Sequence, residues 1–488
     1  MTQAPAAQRG AQRGAHQAAR PAAQRARTIA FEHLWTPLGW LNPGALSVDA
    51  FGRITALWAE PAAAGRIDEQ VKGYALPGMP NTHSHAFQRA LAGRTEIGGA
   101  AGEDNLWTWR DAMYRLAHHL TPDDLQAIAA FAYMEMLEHG FTRVAEFHYL
   151  HHAPGGARYA QPGEMSLRLA QAAGECGIGL MMMPTLYAHA GIGRAPLPEQ
   201  SRFVHARVDE YLRLLHDIER PLHDAGFELG MALHSLRAVA AAELHEAVAA
   251  ARGFAQPLPV HIHVSETRRE VDEVQAGLGA RPVQWLLDHA SIDARWTLVH
   301  ATHLDESERR GLAASGAVAS ICPMTEAMLG DGLFPLVDYQ AEGGRWAIGT
   351  DSHYASGVAA ELRTLECGQR LAHARRNVLA DGASAEPRQR HSGERLFALA
   401  LQGRHSFVDT RPPWAPGTAA DVVVLDPDAP ALAGHDAATA LDAWLLAGVD
   451  DAVQRVMCRG RWLVEGGRHR ERERLTARYA AVARRLLA

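Results

Sequence analysis

The chain has 488 residues and a formal net charge of -7, with 47% hydrophobic and 21% charged residues. This length allows a large core and more than one domain, and the composition is that of an ordinary folded protein. The negative net charge argues against general nucleic-acid binding. No apolar run approaches the ~20 residues of a membrane span, and no apolar segment near the start forms a signal peptide. We therefore expect a cytoplasmic protein that binds neither nucleic acid nor membranes.

The first residues and the two ends of the folded region differ in composition from the middle. Residues 1–27 are rich in Ala, Gln and Arg and contain no acidic residue, which predicts a disordered tail. Short strand-like segments follow over 28–75 and recur over 405–470, and we expect both parts to form one small β domain. Residues 76–404 are expected to form one large domain between these two parts, and residues 471–488 a C-terminal helix.

The region 76–404 alternates short apolar runs with longer amphipathic stretches, the pattern of βαβ units. The candidate strands, the first of which begins just before this region, are 74–80, 141–148, 178–187, 227–234, 259–264, 296–300, 317–322 and 345–350. One intervening helix has clear signals, with Thr121 as N-cap, Pro122 at its first position and Gly140 after its end. Eight such strands predict an α/β fold, a (β/α)₈ TIM-type barrel.

Cysteine and lysine usage narrows the chemistry. The four cysteines are widely spaced and form no CxxC pair, which argues against a disulfide framework and a thiolate zinc site. They are Cys176, Cys322, Cys367 and Cys458. Lys72 is the only lysine of the chain. A Schiff-base lysine, a P-loop lysine or a carboxylated lysine bridging two metals would each need a lysine in the catalytic domain, so these mechanisms are disfavoured.

Residues of the metal-binding types lie at the ends of the predicted strands. His83 and His85 follow the first strand, and both side chains project to the same side because the strand period is two. Such a pair alone is weak evidence, since packing histidines are the simpler explanation. His263 and Asp351 lie at later strand ends, which meet at one face of a barrel. These three imidazoles and one carboxylate can bind zinc and leave a position open, as in catalytic sites.

Several motifs together resemble the amidohydrolase superfamily, and the spacing from His263 to Glu266 resembles its mononuclear deaminase branch. The motifs are His83-Ser-His85, His261-Ile-His263-Val-Ser-Glu266, Leu298-Val-His300 and Gly349-Thr-Asp351-Ser. The resemblance implies one zinc per chain, with other divalent ions left open. It also implies that Glu266 shuttles protons, that His300 steadies the attacking water, and that Asp351 both binds the metal and accepts the proton of the water. We expect His261 to face away from the side of His263 and to serve in packing or as a support behind the metal ligands.

Three longer segments, 76–90, 234–239 and 261–266, are similar to the formimidoylglutamate deiminase family, and the resemblance extends over roughly 29–468. It implies hydrolysis of N-formimino-L-glutamate to N-formyl-L-glutamate and ammonia in histidine degradation. The substrate-binding residues that it implies are Gln88, Arg110, Tyr149, His234 and Arg237. A small anionic substrate with two carboxylates suits guanidinium groups, which supply planar paired donors.

Two other functions stay open at this point. A deaminase of a purine, pyrimidine or related ring would need aromatic stacking and groups that read ring edges, whereas His234 and Arg237 favour an acyclic anion. A catalytically silent barrel that acts as a binding protein would lack a ligand or the acid, whereas each expected position is filled. The sequence also leaves a homodimer open.

Overall fold

The structure is a computed structural model that describes residues 24–98, 104–448 and 452–486. Residues 1–23, which make up most of the predicted tail, lie outside the described residues. The last four residues of the predicted tail, 24–27, are ordered. The N–H of Gln24 donates to the carbonyl of Ala50, and Arg27 begins the first strand. Within the described ranges, no helix combines the length and apolar character that crossing a bilayer requires.

The described residues form the following strands and helices. In chain order the strands are β1 (Arg27–Thr36), β2 (Gly39–Leu41), β3 (Gly44–Val48), β4 (Ile54–Trp58), β5 (Glu69–Pro77), β6 (Met79–Ser84), β7 (Phe141–His148), β8 (Gly179–Leu186), β9 (Glu228–Leu229), β10 (Met231–Leu233), β11 (Val260–Val264), β12 (Trp296–His300), β13 (Val318–Ile321), β14 (Arg345–Ile348), β15 (Val422–Leu425), β16 (Val453–Cys458), β17 (Arg461–Glu465) and β18 (Arg468–His469). The helices are α1 (Leu106–His119), α2 (Pro122–Glu138), α3 (Glu164–Cys176), α4 (Val208–Ala225), α5 (Ala241–Ala251), α6 (Arg268–Leu278), α7 (Pro282–His289), α8 (Glu306–Ser315), α9 (Pro323–Leu329), α10 (Leu336–Ala341), α11 (Val358–His373), α12 (Ser392–Ala400), α13 (Ala440–Asp442) and α14 (Arg472–Leu486).

The predicted barrel is confirmed. Parallel pairs run from β6 through β7, β8, β10, β11, β12 and β13 to β14, and β9 continues the line of β10 beside β8. The two ends of this sheet meet where the carbonyl of His83 accepts the N–H groups of Thr350 and Asp351, each at 3.0 Å. Eight strand positions thus form a nearly closed barrel with helices between them.

The first predicted barrel strand, 74–80, is wrong in its bounds. Its first half belongs to β5, which pairs with β1 and β15 in the other sheet, and the barrel strand β6 begins only at Met79. Gly78 joins the two strands and packs so tightly that a Cβ there would lie 2.1 Å from Oγ1 of Thr142. Glycine therefore allows the chain to pass from one sheet to the other at this point.

The small sheet combines strands from both ends of the chain, as predicted. Its order is β18-β17-β16-β15-β5-β1-β3-β4, with β2 beside β1. It has its own apolar cluster, which includes Phe31, Leu46 and Val422. Lys72 lies in β5 of this sheet and is exposed, so the only lysine is outside the barrel. The four cysteines are all unpaired.

The helix with the clearest sequence signals is α2, and its bounds are confirmed. Thr121 accepts the N–H of Asp124, and the carboxylate of Asp124 accepts the N–H of Thr121 in return, which forms a capping box. The sequence alone was sufficient to predict where this helix begins, because capping interactions involve only a few neighbouring residues.

Candidate metal and catalytic site

Three histidine side chains converge where the barrel strands end. The Nε2 atoms of His83, His85 and His263 lie 3.1 to 3.3 Å from one another. Nδ1 of His85 lies 2.7 Å from the carbonyl oxygen of Phe147, and Nδ1 of His263 lies 2.9 Å from that of His234. A carbonyl only accepts, so both Nδ1 atoms carry the proton and both Nε2 atoms present lone pairs to the cluster.

This arrangement fits a shared cation. Lone pairs cannot hydrogen-bond to each other, and ligands about 2.1 Å from one ion in tetrahedral geometry stand about 3.4 Å apart, close to the spacing seen here. Oδ1 of Asp351 completes the set, at 3.5 Å from Nε2 of His83 and 3.4 Å from Nε2 of His85. Burial lowers the pKa of all three histidines, which favours the neutral form that binds metals.

His300 and Glu266 lie beside the cluster. Nε2 of His300 is 3.5 Å from Oε1 of Glu266 and 3.9 Å from Oδ2 of Asp351, and its Nδ1 is 3.1 Å from Oε1 of Glu326. Burial raises the pKa of Glu266 to about 7. Burial alone would lower the pKa of His300, but the carboxylates of Glu266, Glu326 and Asp351 raise it to about 10. A carboxyl group with a pKa near neutrality can both take up and release a proton.

The backbone at this face adopts unusual conformations. Five non-glycine residues here have positive φ: Ser265, His300, Ala301, Asp351 and His353, at 52°, 67°, 50°, 45° and 59°. Such conformations cost about 1–3 kcal/mol each and persist only where the surroundings enforce them. The fold therefore holds these strand ends in place at an energetic cost, which is typical of functional sites.

A pocket of about 70 Å³ lies against the cluster. The structure brings all five predicted substrate-binding residues to its lining, together with Glu266, His300 and Asp351. The five are Gln88, Arg110, Tyr149, His234 and Arg237. Their placement agrees with the prediction, and their roles stay predictions. A second, larger cavity of about 740 Å³ lies between the small sheet and the opposite barrel end, and its lining contains none of these residues.

Each of the two arginines of the pocket has a hydrogen-bond donor that is not paired within the described part of the protein. Arg237 is 8% exposed, its Nε makes no hydrogen bond, and its nearest carboxylate oxygen, Oε1 of Glu270, is 4.0 Å away. Nε of Arg110 is buried and also has no hydrogen-bond partner. Both guanidinium groups lie over the ring of Trp107: the Cζ of Arg110 is 4.3 Å and the Cζ of Arg237 is 5.1 Å from the ring centroid. Buried guanidinium donors without partners suit a carboxylate ligand.

The polar residues nearer the cluster are linked to one another. Nε2 of Gln88 donates to the hydroxyl of Tyr149 at 2.7 Å, and both side chains are almost fully buried. The carbonyl of His234 accepts Nδ1–H of the candidate ligand His263, and the ring of His234 contacts that of Tyr187, with the two ring centroids 4.2 Å apart. His234 therefore connects the pocket to the metal cluster through its own backbone.

The predicted direction of the His261 side chain is wrong. Residues two apart on a strand share a side, so His261 points into the barrel like His263 but one layer lower. Its Nε2 lies 2.9 Å from the carbonyl oxygen of Ser406, in the short helix that closes the barrel interior, and the side chain is fully buried. The packing role that was expected of His261 agrees with this position.

Sequence reasoning missed several residues of the site. Trp107 and Tyr187 line the pocket, and Glu326 accepts a hydrogen bond from His300, yet none of these positions has a distinctive spacing. Glu146 had a usable signal, because a carboxylate inside the apolar strand β7 is unusual unless it has a specific partner.

Comparisons with known proteins agree with this geometry. The model of the amidohydrolase family matches residues 74–400. The chain is 44% identical over 458 residues to a formimidoylglutamate deiminase of Pseudomonas aeruginosa, covering 93% of this chain and 98% of that protein. It is 29% identical over 436 residues to an 8-oxoguanine deaminase of the same organism, covering 85% and 87% of the two chains.

Solved structures give the same result. A crystal structure of an amidohydrolase from Brucella melitensis is 39% identical with a TM-score of 0.86, covering 95% of this chain and 100% of that one. An adenosine deaminase from Xanthomonas campestris, solved with bound zinc, is 20% identical with a TM-score of 0.76, covering 96% and 99% of the two chains, and shows the fold alone. The chain belongs to the amidohydrolase family.

Proposed function

We propose that this protein is a zinc-dependent hydrolase that converts N-formimino-L-glutamate and water to N-formyl-L-glutamate and ammonia. The observation that carries the proposal is that one pocket combines a cluster of candidate metal ligands with two arginines whose buried Nε atoms have no hydrogen-bond partner among the described residues. The 44% identity to a formimidoylglutamate deiminase over nearly the whole chain supports the same substrate.

Substrate recognition follows from the charges. N-formimino-L-glutamate carries two carboxylates, and Arg110 and Arg237 supply paired N–H donors for them. Tyr149 packs against His85, His234 packs against His263, and Gln88 donates to Tyr149, so these three residues would orient the formimino end.

His83, His85, His263 and Asp351 would hold one zinc ion per chain. Bound zinc supplies the Lewis acidity that lowers the pKa of a nearby water molecule to about 7. Three imidazole nitrogens and one carboxylate oxygen are ligands that suit zinc, although other divalent ions bind similar sets.

Glu266, His300 and Asp351 would move the protons. The reaction replaces the C=N double bond of the formimino carbon with a C=O double bond, and the nitrogen leaves as ammonia with both protons of the water. Asp351 takes the first proton from the attacking water, and Glu266, with its pKa of about 7, takes the second. Each passes its proton to the departing nitrogen, so both carboxylates return to their starting state. His300 donates a hydrogen bond to the charge that develops on the attacking oxygen.

A second candidate is deamination of a nitrogen heterocycle. The aromatic side chains of Trp107, Tyr149 and Tyr187 in the pocket and the 29% identity to an 8-oxoguanine deaminase favour it. A neutral ring would leave the donors of Arg110 and Arg237 unpaired, which is costly in a buried pocket. The dicarboxylate is therefore the better match. A catalytically silent barrel is disfavoured because both the ligands and the acid are in place.

The deciding experiment measures ammonia release with N-formimino-L-glutamate beside guanine, 8-oxoguanine, cytosine and adenosine. We expect turnover with the formimino substrate only. Turnover with a ring substrate alone would contradict the assignment. The cytoplasmic location, the homodimer and the lack of nucleic-acid and membrane partners stay predictions.

A further inference from the structure

Ser84 lies between the two histidines of β6, and its side chain points away from the metal cluster because successive side chains of an extended segment alternate. On that far side, its Oγ lies 2.5 Å from Oε2 of Glu146 and 2.9 Å from Nε2 of His353. All three side chains are buried, with at most 1% exposed. A hydroxyl donates once and accepts twice, so Ser84 can donate to Glu146 and accept from His353.

Glu146 uses its other oxygen on the backbone. Oε1 accepts the N–H of Ala86 at 2.7 Å, so one carboxylate holds the residues on both sides of the ligand His85. The next residue of β7, Phe147, accepts Nδ1–H of His85 through its carbonyl. The end of β7 thus constrains both the backbone around His85 and the orientation of its ring.

The same network reaches the fourth ligand. His353 follows Asp351 by two residues, and its N–H donates to the carbonyl of Thr350 at 2.9 Å. Both Asp351 and His353 have positive φ, so this turn needs contacts that enforce it. The Ser84–His353 hydrogen bond is such a contact, and it joins the turn to the strand that carries His83 and His85.

Glu146 is a costly residue to bury. Within the described ranges, no cationic side chain lies within the 4.0 Å of an ion pair with it, and a buried carboxylate without a cation is unfavourable even when hydrogen-bonded. Outer partners that orient metal ligands are a common reason for such a group.

We propose that Glu146 is the positioning residue of the metal centre: through Ala86 and Ser84 it sets the ring of His85 and ties the turn of Asp351 to strand β6. The inference rests on the metal-binding role proposed above. It adds a residue that touches neither the substrate nor the ligand nitrogens.

The test measures zinc affinity by competition with a chelator, using the metal alone. Glu146→Ala removes both acceptors and should weaken zinc binding about 10–100-fold. The visible spectrum of the protein loaded with Co²⁺ should change as well, because it reports ligand geometry. Glu146→Gln should recover part of the affinity, since its carbonyl oxygen can still accept the N–H of Ala86.

Glu138→Ala is the matched control. Glu138 is also a buried carboxylate, 3% exposed, that accepts a backbone N–H, from His469 at 2.7 Å, but it ends α2, away from the metal ligands. Both alanine variants should lower the melting temperature, and only Glu146→Ala should weaken zinc binding. Equal zinc affinity in the two variants would overturn the proposal.

Ser84→Ala covers the case in which Glu146→Ala does not fold. It removes only the hydroxyl and should weaken zinc binding about tenfold. The KM for substrate should not change, because Arg110 and Arg237 are untouched. Unchanged zinc affinity in Ser84→Ala would refute the network. No substrate enters the measurement of zinc affinity, so a failed substrate assignment and a failed positioning role give different results.

Discussion

The carboxylate of Glu266 and the imidazole of His300 face each other beside the metal cluster, with Oε1 3.5 Å from Nε2. Both side chains are almost completely buried, at 8% and 1% exposed. At this separation in a buried pocket, each group strongly affects the protonation of the other. Proton transfer by Glu266 is therefore the step that substitution can test most directly.

Glu266→Gln should retain zinc and lose most turnover. The amide keeps the shape of the side chain but cannot carry a proton, and general acid–base catalysis contributes about 10²–10⁴-fold. Metal content and kcat are the measurements. Glu273→Gln, on the following helix and paired with the exposed Arg194, is the control and should keep near-normal turnover. Normal turnover in Glu266→Gln would remove this residue from the mechanism.

Arg237→Met should lower kcat/KM for N-formimino-L-glutamate by at least about thirtyfold, because removal of one partner from a buried charged pair costs about 2–5 kcal/mol. A neutral diamide analogue should show a much smaller loss. Arg269→Met is the matched control. Arg269 is exposed, and its Cζ lies 4.1 Å from the centroid of the same Trp107 ring. Loss of an exposed cation–π contact should lower kcat/KM by only about twofold to fivefold. Equal losses of Arg237→Met on both compounds would mean a structural role for Arg237.

Metal analysis should find about one zinc ion per chain, because His83, His85 and His263 form one candidate ligand group and the carboxylate of Asp351 lies 3.4 to 3.5 Å from two of them. Removal of the ion by a chelator should abolish turnover and lower the melting temperature, since a ligand that binds only the native state stabilises it. Cys322 lies in a separate candidate group with His300 and Glu326, one of three such groups in the described residues. Cys322→Ser should keep the same zinc content, and two tightly bound ions would contradict the mononuclear site.

Stability should fall in mild acid through buried histidines away from the metal. Burial lowers the pKa of His205 to about 3, and its side chain is 4% exposed. The unfolded chain binds this proton near pH 6.5 and the folded protein does not, so stability is present above that pH and is lost as the pH falls toward 3. Between pH 7.5 and pH 5.5, protonation of this one group in the unfolded chain lowers the free energy of unfolding by about 1.4 kcal/mol.

His205→Phe should reduce the pH dependence by that amount. The measurement is the free energy of unfolding in urea at pH 7.5 and 5.5, at a fixed zinc concentration. His118→Gln, a change at an exposed histidine, is the control and should leave the pH dependence unchanged. Identical pH dependence in His205→Phe and the wild type would show that the folded protein does not lower the pKa of His205.

Local signals in the sequence were sufficient for much of the fold. The capping residues of α2 act within one turn, and apolar runs between polar stretches located seven of the eight barrel strands closely. The spacing of His83 and His85 and the positions of His263 and Asp351 at strand ends were also visible in the sequence, because the barrel brings all strand ends to one face.

Other features depend on contacts between distant segments, and only the tertiary structure decided them. The change of sheet at Gly78 depends on its contact with Thr142, on a different strand. Trp107 became part of the pocket because its helix packs over the strand ends, and Glu326 because its carboxylate meets His300 across the barrel face. The role proposed for Glu146 requires that β7 lies beside β6 in the register that places Glu146 next to Ser84. Residue types and local periodicity can be read from the sequence. Contacts between distant segments, such as Ser84–Glu146 at 2.5 Å and Arg237–Trp107 at 5.1 Å, form only when the barrel closes.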